Sequence, residues 1–425
     1  MQRGLYFTGL IFAPPREHSD GPVNFLSQVD SKAPSKLISS LEQSEKQLAL
    51  EYGAMTGAEH EVDSAGALQE AIARAAHKNY DPLFPAYQSH QHYFRSRFRD
   101  KSDTLPFLEK QSSASIVESP LNVGRSPFWA VIIGIDAYDS YPLRGCVSDA
   151  LLVAEYLQED VGVPQEQIQL LLGSEHASCE DPSYPSRVNI IKALLGLISN
   201  PSILPGDNII IYFSGHGAGY SSSDYFHSDT DSDEADESPR AIDRSIEAIC
   251  PIDRDTIDAS GLHVPDVSDR EINGIFQKIS RSKGHRITVI LDCCHSGRHT
   301  RHFPDPGTRT IPPLPRASLR RMLDKVNESL GHEAYQEISS REWRPDMSSY
   351  VVLTACKDYQ VAKEVQNEAG YYNGIFTQGL IGTLRSGKLS QESTYVDLLF
   401  SLPQRRGQTP VVAGKHKRES LWYKV

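Results

Sequence analysis

The sequence predicts an α/β domain: a mostly parallel, six-stranded sheet with helices on both faces, plus a poorly structured N-terminal extension. Three observations carry this. Short uncharged runs of β-branched and aliphatic residues recur along the chain, as strands buried on both faces require. Stretches with helical spacing separate several of these runs, so the strands are joined by crossovers and pair in parallel. Residues 1 to about 125 lack such runs and mix Pro, Ser, Gly, His and charge.

In order, Leu37 to Leu50 and Ala65 to Ala76 are the helical patterns of the extension. The folded domain opens at Phe128, with a strand to Ile135. A helix follows, with Leu151, Ala154 and Leu157 on one face. Ile168 to Leu172 is a strand, Arg187 to Ile198 a helix, and Asn208 to Phe213 a strand. Ser221 to Arg240 carries seven acidic residues and one basic, so it stays solvated. Ala248 to Ile252 resumes strand character, and Ser268 to Glu271 fits a capping box before a helix face of Ile272, Ile275, Phe276 and Ile279. Ile287 to Leu291 is a central strand. Arg298 to Arg344 reads as an Arg- and Pro-rich linker without a packed core, with a helix at Ala317 to Leu330. Tyr350 to Thr354 is a strand, Gly374 to Leu384 and Tyr395 to Leu402 are helices, and Thr409 to Val412 is the last core strand.

Composition narrows the function. At 39% hydrophobic residues, part of the 425-residue chain is expected to be disordered. A net charge of -12 argues against nucleic acid or an anionic membrane as the main partner. No run approaches the ~18 apolar residues of a membrane span. Six Cys are too few for a disulfide framework and fit a reduced, cytoplasmic setting. Met1 to Ala13 bears only a faint likeness to a signal peptide.

Two strands end in chemistry. Asn208 to Phe213 runs into Ser214-Gly215-His216-Gly217, and Ile287 to Leu291 runs into Asp292-Cys293-Cys294-His295-Ser296-Gly297. Reactive side chains at the carboxyl ends of parallel strands are where open α/β sheets do their work. A thiol needs a nearby base to become a nucleophile, and His216 is one if the two strand ends are neighbours. They lie 78 residues apart, 52 without the 26-residue insertion Ser221 to Ile246.

These two motifs resemble the caspase-like cysteine peptidases, specifically the metacaspase branch and its fungal type I-like members. Cys293 stands where the usual metacaspase motif has Ser. Phe376-Thr-Gln-Gly-Leu and Gln408-Thr-Pro fit the same resemblance, which covers roughly the last 300 residues. It implies a caspase-like fold at 126–425: a large-subunit-like region at 126–297, a linker at 298–347 and a small-subunit-like region at 348–425. It also implies hydrolysis after Arg or Lys through a thioester. Cys294 would be the nucleophile, His216 the base, and Gly217 with the Cys294 amide the oxyanion donors. The acidic first specificity pocket would fall on Asp149, Asp292, Cys146, Ser214 and Asp253, with Arg254 beside the last.

Cys293 reads as structural, and His295 as a loop residue. No third triad acid is assignable. The resemblance implies calcium as an activator, but the position seven residues after the nucleophile is Arg301, which weakens that expectation; Asp253, Asp255 and Asp258 remain candidate ligands. The acidic insertion reads as a solvated insert. The linker holds nine Lys or Arg residues, targets for self-processing by an enzyme whose substrates carry basic residues. Two other readings stay open: a non-proteolytic caspase-like scaffold in stress or aggregate handling, and an Asp-specific caspase, which would need a basic pocket.

Overall fold

The computed structural model describes residues 125–222, 245–295, 305–332, 338, 340, 343–367 and 370–423. The helices expected in the N-terminal extension and the acidic insertion lie outside these.

The core is a six-stranded sheet. Its strands, in order across the sheet, are β11 (Val411–Ala413), β8 (Val351–Thr354), β7 (Ile287–Asp292), β3 (Asn208–Ser214), β1 (Phe128–Ile135) and β2 (Ile168–Gly173), while β9 (Glu364–Gln366) and β10 (Tyr372–Gly374) pair with each other apart from it. All neighbours are parallel except β11, which closes one edge antiparallel to β8. Every residue of β3 and β7 is buried, as their unbroken apolar runs require of central strands. In their register Ser214 stands beside Asp292. The strand ends that carry His216 and Cys294 are therefore adjacent.

Helices cover both faces. On one lie α2 (Arg187–Ser199), α3 (Asp269–Lys283) and α4 (Arg316–Leu330), packing Ile190, Leu194, Ile275, Ile279 and Val326 onto the sheet. On the other lie α1 (Cys146–Glu159), α5 (Ile375–Arg385) and α6 (Tyr395–Ser401), with Val153, Leu157, Phe376, Leu380 and Leu398 inward. Among the described residues no helix is long and apolar enough to cross a membrane.

Three local expectations are corrected. The strand expected at Ala248 to Ile252 is β5 (Ser245–Ile249), which leaves the main sheet for a small antiparallel one with β4 (Gly217–Ser221) and β6 (Val267–Ser268). At the start of α3, Ser268 Oγ accepts the Glu271 amide at 3.1 Å. The Glu271 carboxylate instead pairs with Arg187 at 2.5 Å and Ser329 at 2.7 Å, so the box is half made. The linker does have a packed core: α4 buries Leu319, Met322, Leu323 and Val326 along its helical stripe.

Candidate active site

His216 follows β3 in a turn that buries the ring. Its backbone N–H donates to the Tyr138 hydroxyl at 3.0 Å, and that hydroxyl donates to the Cys250 carbonyl at 2.9 Å. The Tyr138 ring leans on the imidazole at 4.6 Å between centroids. The His216 Nε2 lies 2.6 Å from the Tyr141 carbonyl. A carbonyl only accepts, so the proton is on Nε2 and the lone pair on Nδ1. Nδ1 is buried and has no hydrogen-bond partner among the described residues. Burial pushes the imidazole pKa down to about 4, so it is neutral and basic in form at pH 7. The third member of the group is thus a backbone carbonyl, which leaves no signature in a sequence. Tyr141 presents it from a left-handed backbone, φ 59°.

Cys293 and Cys294 follow β7 and face opposite ways. Cys293 packs in the cluster under α3, 3.9 Å from the His295 ring. His295 follows β7 in a loop, as expected, and is buried against Glu247 at 3.5 Å. Cys294 lies in the cluster of the opposite face.

What meets these residues is the chain's own Arg309. Its carbonyl oxygen accepts from the Cys294 amide at 3.1 Å and from the Gly217 amide at 3.2 Å. Two converging N–H groups on one carbonyl are the arrangement that holds a developing oxyanion. The Arg309 side chain is fully buried, with Nη2 2.5 Å from Asp149 and Nη1 2.7 Å from Asp292. Its backbone is held as an added strand: the Arg309 amide donates to the Ala362 carbonyl at 2.9 Å, and the Glu364 amide to the Gly307 carbonyl at 2.9 Å.

The carboxylates are themselves braced. Asp149, in the first turn of α1, takes the Asn373 side chain at 3.1 Å and the Gly374 amide at 2.8 Å. Asp292 takes the Thr377 hydroxyl at 2.6 Å. Burial pushes the Asp149 carboxyl up to about 6, and the Arg309 charge works against that rise. Burial, helped by Glu364, raises Asp136 to about 7 while it accepts the Cys146 and Val147 amides. Glu364 accepts the Arg144 and Gly145 amides, its carboxylate 4.0 Å from Arg309. Asn373, Gly374, Glu364 and Arg309 were not legible as site residues.

The other expected pocket residues separate. Cys146 is buried at the start of α1, in the field of the Arg309 charge. Ser214 is buried beside Asp292 in the sheet register, and its Oγ has no partner among the described residues. Asp253 does not join the pocket: its carboxylate accepts the Arg187 amide at 2.8 Å, at the start of α2, where the helix dipole favours it. Arg254 turns away too, forking onto buried Asp266 at 2.9 and 3.0 Å. As calcium ligands, Asp253, Asp255 and Asp258 form no cluster among the described residues, and Asp258 is paired with Arg321. Arg301 lies outside the described residues. Among the described residues two groups do bring three candidate metal donors together: His285, His416 and Glu419, and the buried Asp136, Cys146 and Glu364.

Residues 129–301 match the family model of the metacaspase, peptidase C14 domain. Over that stretch the chain is similar to the metacaspase peptidase domain. It is similar to Metacaspase-1A of Aspergillus oryzae, 25% identical over 64% of this chain and 63% of that one. It is also similar to Metacaspase-1A of Aspergillus niger, 26% identical over 64% of this chain and 65% of that one. Metacaspase-1 of Emericella nidulans is 25% identical over 68% of this chain and 70% of that one. The chain thus spans slightly less than two thirds of the first two relatives. The metacaspase match takes in β3, β7 and the Cys294 turn, while Arg309 lies beyond it.

Proposed function

We propose that the chain is a cysteine endopeptidase that cleaves after Arg, and after Lys less well, and that its first substrate is its own Arg309–Thr310 bond. One observation carries the reading: Arg309 lies across the site as a substrate would, its guanidinium between two carboxylates and its carbonyl on two amides. A planar guanidinium offers each carboxylate its own nitrogen, which a Lys ammonium does not.

In this reading His216 Nδ1 takes the Cys294 thiol proton while the Tyr141 carbonyl holds Nε2–H in place. The thiolate adds to the Arg309 carbonyl carbon, and the negative oxygen stays on the Cys294 and Gly217 amides. The C–N bond to Thr310 breaks, and its nitrogen leaves as an amine with the proton from His216. Water then adds to the thioester, giving the Arg309 carboxylate and the free thiol. None of the six Cys is in a disulfide.

The test compares purified wild type with Cys294→Ala, with Arg-ended and Asp-ended fluorogenic peptides, each with and without calcium. The wild type should show a new N terminus at Thr310 and turn over the Arg peptide; the variant should do neither. Cleavage of both proteins alike, or preference for the Asp peptide, would refute the reading. The calcium arms decide whether the ion is an activator.

A further inference from the structure

The two sides of the Arg309–Thr310 bond are held very differently. Upstream, Arg309 is the anchor, and its grip is the pocket's. Downstream, the chain is part of the hydrophobic core. Thr310, Ile311 and Leu314 are buried, at 3%, 2% and 7% exposure. The Ile311 amide donates to the Gly217 carbonyl at 3.1 Å. The Leu314 amide donates to the Tyr220 hydroxyl at 3.2 Å, and Arg254 reaches the Pro312 carbonyl at 3.2 Å. Two residues later α4 begins and packs against α3.

We propose that Thr310 to Leu314 stay in the leaving-group half of the cleft after the bond is cut, so that activation empties only the Arg pocket. This rests on the peptidase reading above. Both fragments remain built into one sheet, since β7 lies upstream of the cut and its partner β8 downstream. Nothing in the cut removes Ile311 or Leu314 from the apolar cluster they fill, whereas the new Arg309 carboxylate loses its peptide link to them. The room left beside the segment is a cavity of about 260 Å³, with Tyr138, Arg254, Thr256 and Ile311 among its walls. Ile311 already forms part of its wall, so an extended chain has less room there than a small leaving amine. The mature enzyme then favours Arg substrates with small leaving groups. It acts on protein chains only as the primed segment shifts.

Two measurements test this on the full chain. Hydrogen exchange of self-cleaved wild type is compared with uncleaved Cys294→Ala. The Ile311 amide should keep its protection while the Arg309 amide loses it. Two substrates with the same Gly-Thr-Arg acyl part are then compared, one ending in a coumarin amide and one continuing Thr-Ile-Pro-Pro-Leu. The coumarin amide should have the higher kcat/KM by at least ~10-fold. Exposure of the Ile311 amide on cleavage, or equal rates for the two substrates, would overturn the proposal and leave the peptidase reading standing. Absence of any self-cleavage would overturn both.

Discussion

Replacing Arg309 by Ala in a Cys294→Ala background isolates the ion pair from the chemistry. Neither protein can cut itself, so only the pocket differs. Arg309 is fully buried and is the cation between Asp149 and Asp292, at 2.5 and 2.7 Å. Removing one partner of a buried pair costs ~3–5 kcal/mol, because the other charge is left without compensation. Here relief is at hand. Burial already lifts Asp149 to about 6 with Arg309 present, and without that cation it takes up a proton nearer neutral pH. The loss should therefore sit at the lower end, about 3 kcal/mol. At ~2 °C per kcal/mol for a domain of this size, Tm falls by about 6 °C. Thermal unfolding with and without agmatine is the assay. The guanidinium of agmatine should restore most of the lost Tm, and butylamine at the same concentration should restore less. An unchanged Tm, or a fall that no guanidinium reverses, would refute the assignment of Asp149 and Asp292 as a guanidinium site.

Three further outcomes follow from the same geometry. The KM for an Arg peptide should rise as pH falls from neutral, where Asp149 in the emptied pocket, without the Arg309 charge that works against its raised pKa, takes up a proton; a KM flat from pH 7 to 5 would place recognition elsewhere. His216, held near 4 against 6.5 in the unfolded chain, binds its proton less readily when folded, so its contribution to stability is present above 6.5 and is lost as pH falls toward 4, by about 3 kcal/mol. Asp136 and Asp149 titrate in that window with the opposite sign, so the measurement is denaturant unfolding of Cys294→Ala minus Cys294→Ala/His216→Gln at each pH; a difference that does not change with pH would contradict it. A β-carbon at Gly374 would meet Asp292, Arg309 and Asp149, so Gly374→Ala should lower kcat/KM for Arg peptides by ~100-fold or more, and wild-type kinetics in that variant would mean the pocket lies elsewhere.

The strands were legible because burial on both faces writes itself as an apolar run, and His216 and Cys294 because each follows such a run. Asp149 and Asp292 came through a family pattern. Asp253 did not hold its place in the pocket, because a sequence shows that a carboxylate is near a strand end but not which helix N-terminus claims it. Arg309 was counted among nine linker cations as an exposed target. Its partner Asp149 is 160 residues away, and no local pattern records a pair of that separation. A weak signal was present: Thr310-Ile-Pro-Pro-Leu314 is too apolar for a solvated linker, and Ile311 and Leu314 are indeed in the core.

The two halves of that ion pair explain each other. Asp136, Asp149, Asp292 and Glu364 gather in one buried place. Carboxylates taken out of water together need either a cation beside them or a proton on some of them, and the cation keeps them charged. A substrate cannot serve, since it arrives after folding is complete. Arg309 is covalently present at that moment, and its two close contacts offset part of the desolvation while the sheet closes around them. On this argument the self-held Arg supports the folding of an acidic pocket as well as occupying it. In the proposed reading, the pocket becomes available to other chains once cutting releases Arg309.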